Sequence, residues 1–542
     1  MKLLPAEIFK EYTEGVNFRN GLGDKGLYEQ TKINERFYSG DQWYGARCGN
    51  DRPLVRHNII KRIGDYKMSQ IMSAPLSVKY SADGVPNTDK EGKNVTKLRR
   101  EISADSKYNF TGEIDNNEIN VVLSALSDYH RITAERMSFD ALCARALKKA
   151  YISGSCVLYT YWDSEINTGL YIDGEKSAMI KGDIACELLD IENVYFGDPY
   201  CEEVEHQPYI ILAARRAVND VFKEAAAFGA DSVTLEKIKP DGDDGKVLTL
   251  TKLYKEHTAA GCKIKCIRVT ENAVIRSSYD TRLRMYPLAI FRFEEKSGLA
   301  YGESEVSYLI PNQIAINRMI TANVWAVMTM GMPLMVVNGD TVSGDISNDP
   351  GQIIKIYGSN EDVAGAVKYV TPPDFCGGFT DNINNLIENT LTQSGANAVA
   401  LGDEKADNAT ALAELRNSAV MPLTLVKNRF YQFVEQIARI WADFWISQYG
   451  NRYIKVSDEN GVWYLPFNAA RYSGLYLTAK IEVGADTAYS VAESSAMLNT
   501  LYEKGIISKR QYRKRLPKGL IPNIDGIIEE LTEEGGGVLD GK

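Results

Sequence analysis

Apolar residues recur at helical spacing in the first third of the chain. Between Asn58 and Met72, isoleucine and tyrosine side chains return about every three or four residues, which predicts a helix. Pro75 should end that helix. The same spacing reappears from Ile119 to Ala150, over a length that suits two helices. Residues 81–118 are polar and rich in Asn, Asp, Lys and Gly, so we expect a flexible insertion there.

A different pattern begins after Gly154, where short runs of β-branched and aromatic residues alternate with turn residues. Runs of this kind are typical of β-strands. The predicted strands are Cys156–Trp162, Asp183–Leu189, Tyr209–Ala214, Val247–Tyr254, Ile264–Thr270 and Leu288–Phe293.

Helical spacing then returns on both sides of a strand-and-turn segment. Residues 309–330 carry an apolar face, and residues 380–393 carry a second one opposite four asparagines. The segment between them, 333–378, is rich in Gly, Asp and Pro. A loop of small residues, 394–408, follows the second helix. The apolar face of the first helix comprises Leu309, Ile316, Ile320, Val324 and Val327.

The last part of the chain is again mixed. The spacing of apolar residues predicts a long helix from Ala409 to Tyr449, which Pro422 should kink or break. Two strands and a helical C-terminal part from Val491 onward complete the pattern. The fold class expected from the whole chain is therefore α+β mixed.

One segment resembles a membrane span. Residues 319–339 contain no charge over 21 positions, about the length that crosses a bilayer. Polar residues and a Gly331-Met332-Pro333 break interrupt the apolar run. We interpret the segment as a buried helix followed by a strand, and we expect no contact with a membrane.

Composition narrows the class of protein. The 542 residues are 44% hydrophobic and 25% charged, which is ordinary for a globular chain and excludes disorder throughout. The length suggests two to four domains. The formal net charge of −10 differs from the basic balance usual in proteins that grip nucleic acid.

The eight cysteines are dispersed, and no signal peptide is recognisable at the start of the chain. We therefore expect free thiols in a reducing cytoplasm. Cys262 and Cys266 form the only close pair, with His257 nearby. A zinc site normally needs four ligands, and a strand of period two places the two cysteines on one face without any metal. We expect no metal and no cofactor.

Motifs for catalysis are not recognisable. The segment Gly169–Gly174 approaches a phosphate-binding loop, but Glu175 follows where a lysine is needed, so we interpret it as a turn. The four histidines form no known constellation. The sequence favours a protein that is not an enzyme, and a hidden nuclease or protease is a less favoured alternative.

Several segments, in order, resemble portal proteins of tailed bacteriophages, the head-to-tail connector subunits of the long-tailed type. Residues 34–43 read NERFYSGDQW, 56–61 read RHNIIK, and 74–78 read APLSV. Residues 191–199 read IENVYFGDP, with Ile191 where the family has proline. The strongest similarity is YGESEV at 301–306, followed by LIPNQ at 309–313, Asn317-Arg318 and Pro333. The shared order covers roughly 300 residues.

The resemblance implies a portal fold whose wing, stem, clip and crown regions assemble into a ring, typically of twelve subunits. The wing would comprise residues 1–308. The regions after it would be a stem helix at 309–330, the clip at 331–379, a second stem helix at 380–393, the tunnel loop at 394–408, the long kinked helix and wing strands at 409–486, and the crown with the C-terminal tail at 487–542.

The resemblance also implies function and partners. Such a ring forms the channel at one capsid vertex through which double-stranded DNA is packaged and ejected. Its partners would be the terminase motor, head-completion and tail adaptor proteins, and the major capsid and scaffold proteins. The protein would be assembled in the host cytoplasm and reside in the virion. Another phage head structural protein, a capsid protein or an adaptor, is the main alternative, and a packaging-associated nuclease is a less favoured one.

Two charged segments are candidate contacts with DNA. By resemblance, the tunnel loop would face the duplex with Leu401, Gly402, Asp403, Glu404, Lys405 and Asp407. Its single lysine among acids would permit only brief phosphate contact. In the crown, a basic cluster would touch DNA or scaffold protein, although a solvated, ion-paired helix explains the same charges. That cluster comprises Lys509, Arg510, Arg513, Lys514, Arg515 and Lys518.

Overall fold

The structure is a computed structural model. It describes residues 4–46, 53–73, 76–82, 116–171, 179–258, 261–330, 334–337, 342–343, 355–357, 367–370, 377–396, 421–458, 461–468, 472, 477–482, 491–507 and 512. Helices and strands both contribute large parts of it, so the mixed fold class is confirmed.

Three helices open the chain: α1 (Pro5–Asn20), α2 (Leu27–Ser39) and α3 (Ile59–Ile71). The third matches the predicted helix to within a residue at each end. Asn58 caps it, because its side chain accepts a hydrogen bond from the backbone N–H of Lys61. The isoleucines that predicted the helix are buried in the main core.

Two further helices, α4 (Asn116–Arg136) and α5 (Phe139–Ser153), confirm the predicted pair. They precede a three-stranded antiparallel sheet of β2 (Ser155–Tyr171), β3 (Met179–Asp190) and β9 (Leu288–Arg292), in the order β3-β2-β9. β2 is longer than predicted, so Gly169 lies within a strand rather than in a turn.

A five-stranded antiparallel sheet follows, in the order β4-β5-β6-β7-β8. Three of its strands were predicted, whereas β4 and β8 were not. The five are β4 (Val194–Phe196), β5 (Tyr209–Ala217), β6 (Lys246–Thr258), β7 (Gly261–Val269) and β8 (Val274–Asp280). Two short helices join β5 to β6, namely α6 (Val218–Ala227) and α7 (Ser232–Glu236).

The predicted helix, insertion and second helix are next. The first helix, α8, spans Glu305–Met330, beginning four residues earlier than predicted, and the second, α9, spans Gly377–Gln393. Two antiparallel strand pairs lie between them: β10 (Leu334–Val337) with β13 (Val367–Val370), and β11 (Val342–Ser343) with β12 (Lys355–Ile356). The predicted succession of helix and strand after Met319 is confirmed.

Helix α10 (Thr424–Gln448) passes through the main core. Its Trp441 and Trp445 are fully buried, and their rings pack around His130. Pro422 lies in a 3-10 turn directly before α10. Residues 409–420 lie outside the described residues, so a single kinked helix from Ala409 stays a prediction.

A strand late in the chain pairs with the first strand. After the hairpin of β14 (Asn451–Asp458) and β15 (Gly461–Asn468), strand β16 (Leu477–Glu482) pairs antiparallel with β1 (Ser77–Ala82). The pair packs on α4 and α10. The final described helix, α11, spans Val491–Glu503.

This pairing makes the main core depend on a strand that lies about four hundred residues after β1. We expect truncation after residue 490 to leave the thermal midpoint of unfolding unchanged, because β16 and its apolar contacts remain. Truncation after residue 470 removes the partner of β1 and uncovers the main core, so the midpoint should fall clearly. Differential scanning calorimetry of the two truncated chains measures the contrast, and equal midpoints would contradict it.

Within the described ranges, no helix combines the length and the apolar character that crossing a bilayer requires. The beginning of the predicted polar insertion, at residues 81 and 82, belongs to β1. The remainder of that insertion up to residue 115 lies outside the described residues.

Candidate functional site

Four of the segments that carry the resemblance, 34–43, 56–61, 191–199 and 301–313, meet at or beside the beginning of α8. Tyr301 donates its phenolic hydrogen to the carbonyl oxygen of Val194, at 3.1 Å. The backbone N–H of Ala300 donates to the carbonyl of Pro199, at 2.9 Å. These contacts join the segment 191–199 to the segment that begins α8, about a hundred residues later in the chain.

The N-terminal segment 34–43 contacts the same helix. The amide of Asn34, which is buried, donates to the carbonyl of Ile152 at 2.8 Å and to the hydroxyl of Ser307 at 3.0 Å. Farther along, the amide of Asn317 donates to Gln42 Oε1 at 2.6 Å. The first and fourth turns of α8 are thus held by one short N-terminal segment.

Gln313 is the centre of this polar network, and it is buried. Its Oε1 accepts hydrogen bonds from the backbone N–H groups of Ile59 at 3.0 Å and Ile60 at 3.3 Å. Its Nε2 donates to the carbonyl of His57 at 2.6 Å and to Asn317 Oδ1 at 3.0 Å. A side chain of α8 therefore satisfies donors at the beginning of α3 that no helical carbonyl reaches.

One buried ion pair joins the same two helices. Lys67 Nζ on α3 contacts Glu305 Oε1 at the start of α8, and both side chains are nearly inaccessible to solvent. Burial raises the pKa of Glu305, and the positive charge of Lys67 opposes that rise. The second oxygen, Glu305 Oε2, is buried without a hydrogen-bond partner.

Close backbone approach completes the junction. Gly154, at φ +86°, ends α5, and a Cβ there would lie 2.5 Å from the carbonyl oxygen of Gly302. The N–H of Gly302 donates to Ser155 Oγ at 2.8 Å, and Ser304 Oγ donates to the carbonyl of Tyr151 at 2.7 Å. Side chains at either glycine would push these segments apart.

The network consists mainly of amides, hydroxyls and backbone groups, which hold position and do not exchange protons near neutral pH. Among the described residues, no group of three or more histidine, cysteine or acidic side chains is arranged to hold a metal ion. The arrangement can fix the direction in which α8 leaves the folded body. We refer to it below as the α8 anchor: Asn34, Gln42, Lys67, Glu305, Gln313 and Asn317.

After Asn317, the last residue of the anchor, the rest of the chain shields only part of α8 from solvent. Leu309 and Ile316, at the near end of the predicted apolar face, are buried, but Val327 and the adjacent Met328 are 64% and 59% exposed. The prediction that Val327 shares a buried face is therefore wrong for a single chain. In the described residues of α8, Arg318 is the only charge after Glu305.

Helix α9 packs beside α8. Asn312 Nδ2 donates to Thr390 Oγ1 at 3.3 Å, which joins the near end of α8 to the far end of α9. The paired strands β10 and β13 follow α8 and precede α9. Together these contacts describe two helices that run in opposite directions with small strand pairs between them.

The residues predicted to contact DNA cannot be compared with this geometry. The six of the tunnel loop and the six of the basic crown cluster lie outside the described residues. Sequence reasoning missed the pairing of Lys67 with Glu305. The signal was present, because Lys67 lies among the isoleucines of an apolar helix face, where an unpaired charge is costly.

Among the cysteines, Cys262 and Cys266 lie on β7 as predicted. Cys262 is exposed and Cys266 is buried, and burial raises the pKa of the Cys266 thiol.

No protein-family model matches the chain, and the comparison with curated proteins likewise finds no match.

Proposed function

We propose that this protein is a portal subunit that assembles into a ring, through which double-stranded DNA is packaged into and ejected from a phage head. The observation that carries the proposal is the nearly uncharged far half of α8, in which Val327 and Met328 are exposed in the single chain. A neighbouring copy would bury Val327 and Met328, and a bore with few lysines or arginines would let the duplex slide without adhering.

Three further features support this function. Four of the segments that carry the resemblance meet at or beside the α8 anchor, so they act together to orient one helix. The antiparallel α8 and α9 with small strand pairs between them fit the stem and clip. The net charge of −10 per copy disfavours tight binding of DNA.

Under this proposal the wing, clip and crown would carry the contacts with terminase, adaptors, capsid and scaffold proteins. The virion would be the final location. The tunnel loop around Lys405 and the crown cluster around Arg513 would be the two places nearest to DNA.

Electron microscopy and sedimentation of the purified protein test the ring. We expect closed particles with a central hole, because a head-to-tail interface that does not close grows filaments. A stable monomer or dimer at micromolar concentration, across a range of salt concentrations, would overturn the proposal.

A pair of substitutions locates the interface on α8. Replacing both Val327 and Met328 by glutamate should abolish ring assembly, because adjacent copies would bury unpaired charges. The fold should remain, since both positions are exposed in the single chain. Val233→Glu on α7, at a similarly exposed apolar residue, is the matched control and should assemble normally. Rings of normal size in the double variant would place the interface elsewhere.

A further inference from the structure

A second site lies away from the α8 anchor. Strands β2, β7 and β8 and the end of α10 border a cavity of about 850 Å³. Aromatic rings and arginines dominate its wall. The rings belong to Tyr159, Tyr161, Trp162, Phe228, Tyr279 and Phe444.

Two of the arginines share one carboxylate. Arg216 Nη1 lies 2.5 Å from Glu224 Oε2, and Arg268 Nη1 contacts Glu224 Oε1. Burial opposes ionisation of Glu224, but the two guanidinium groups outweigh it and hold its pKa below the ordinary value. This part of the wall therefore keeps one positive charge in excess.

A third arginine has no acidic partner. The guanidinium of Arg276 lies 3.5 Å from the ring centroid of Tyr279 and 4.2 Å from that of Phe228. In the described part of the chain, no carboxylate lies within ion-pair distance of it. Arg276 also stands opposite Arg268 on the neighbouring strand. Like charges directly opposite each other destabilise a sheet. Glu224 neutralises Arg268, whereas Arg276 has only the two aromatic rings beside it and keeps its charge uncompensated by any described carboxylate.

The mouth of the cavity contains a strained residue. Arg282 has φ +62°, a conformation that side chains other than glycine, asparagine and aspartate rarely adopt. Asp280 Oδ1 holds the turn by accepting from the backbone N–H of Arg282, at 2.8 Å. Its exposed guanidinium makes no ion pair with any described residue. Strain of this kind concentrates at binding sites.

The backbone of β8, the strand that carries Arg276, can also take part in binding. β8 is the last strand in the order β4-β5-β6-β7-β8, so it has a described strand neighbour on one side only. An extended peptide can add to such an edge through main-chain hydrogen bonds. Ser277 and Ser278 on β8 are exposed, which leaves the edge accessible.

We propose that this cavity binds a carboxylate side chain of an extended peptide segment that pairs with β8. Arg276 lies against the rings of Tyr279 and Phe228, and its guanidinium would donate to both carboxylate oxygens. Asp163 and Glu165 also line the cavity. Their negative charges would repel the many phosphates of a nucleic acid more strongly than a peptide that carries a single carboxylate. The inference does not rest on the proposed function.

Calorimetric titration of the full chain with peptide pools tests the site. One pool is acetyl-X-X-Glu-X-X-amide and the other has glutamine at the centre; phosphate and a twelve-residue oligothymidylate are further probes. We expect the glutamate pool to bind at least about tenfold more tightly than the glutamine pool. Equal affinity, no binding at millimolar concentration, or preference for the oligonucleotide would overturn the proposal.

Variants assign the preference to the cavity. Arg276→Gln should abolish it, and Arg276→Lys should weaken it about tenfold because lysine lacks the bidentate fork. Arg145→Gln, at an exposed arginine of α5, should leave it unchanged. Should Arg276→Gln unfold, Arg282→Gln gives the same test at an exposed position. A preference for glutamate that survives at both positions would overturn the assignment.

Sedimentation distinguishes the two sources of such a segment. Self-association of the full chain that is lost in Arg276→Gln identifies a second copy as the donor of the carboxylate. Unchanged self-association identifies a different polypeptide.

Discussion

Lys67→Met should lower the free energy of unfolding by about 3–5 kcal/mol, because it leaves the carboxylate of Glu305 buried without its partner. Methionine fills a similar volume, so the loss reports the charge rather than a cavity. Urea denaturation followed by hydrogen exchange in α3 and α8 measures the effect where it arises. A loss below 1 kcal/mol would show that the pair contributes little.

The pH dependence of that loss has a definite sign. The pKa of Glu305 is raised by burial and lowered by Lys67, with a net rise above its ordinary value. A group with a raised folded-state pKa stabilises fully below its unfolded pKa, and this contribution is lost as pH rises through the folded pKa. Without Lys67, the pKa of Glu305 should rise further, because burial then acts without the opposing positive charge. The destabilisation by Lys67→Met should therefore be greater at pH 8 than at pH 5.

Two companion variants separate pairing from packing. The double change Lys67→Met with Glu305→Leu replaces an ion pair by apolar contacts and should recover most of the stability. Arg215→Met breaks an exposed pair with Asp244, whose atoms lie 3.1 Å apart, and should change stability little. Equal effects of Lys67→Met and Arg215→Met would contradict the importance of burial.

Helices with strong local signals were predictable from the sequence. α3 and the pair α4 and α5 combine regular apolar spacing with clear end signals, so local pattern and tertiary packing agree. α8 was predicted as a helix, but not the exposure of Val327. Apolar spacing reports which residues share a face, not whether the same chain covers that face.

Strands with distant partners were less predictable. β1 lies next to a polar segment and pairs with β16 about four hundred residues later, so no local pattern marks it. β8, with the sequence VIRSSYD, has two serines and an arginine in its middle, which weakens the alternation. A strand at a sheet edge needs less apolar surface, and its polar residues conceal it.

The contacts of the α8 anchor were likewise not predictable from local sequence patterns. The motifs pointed to the segments that matter, but not to Gln313 as the contact that joins them. A glutamine within a helix gives no sign of its partners, because the backbone donors at Ile59 and Ile60 come from a helix about 250 residues earlier. Only the fold brings these groups together.

Gln313→Met tests that contact directly. The change keeps the side-chain volume but removes the hydrogen bonds of Gln313 to Ile59, Ile60 and His57. The N–H of Ile59 still donates to the carbonyl of His57, whereas the buried N–H of Ile60 loses the acceptor that Gln313 supplies, so we expect the free energy of unfolding to fall by about 2–3 kcal/mol. Hydrogen exchange at Ile59 and Ile60 should accelerate. Gln393→Met, at an exposed glutamine of α9, should affect neither quantity. Unchanged exchange at α3 in Gln313→Met would mean that α8 does not hold the beginning of that helix.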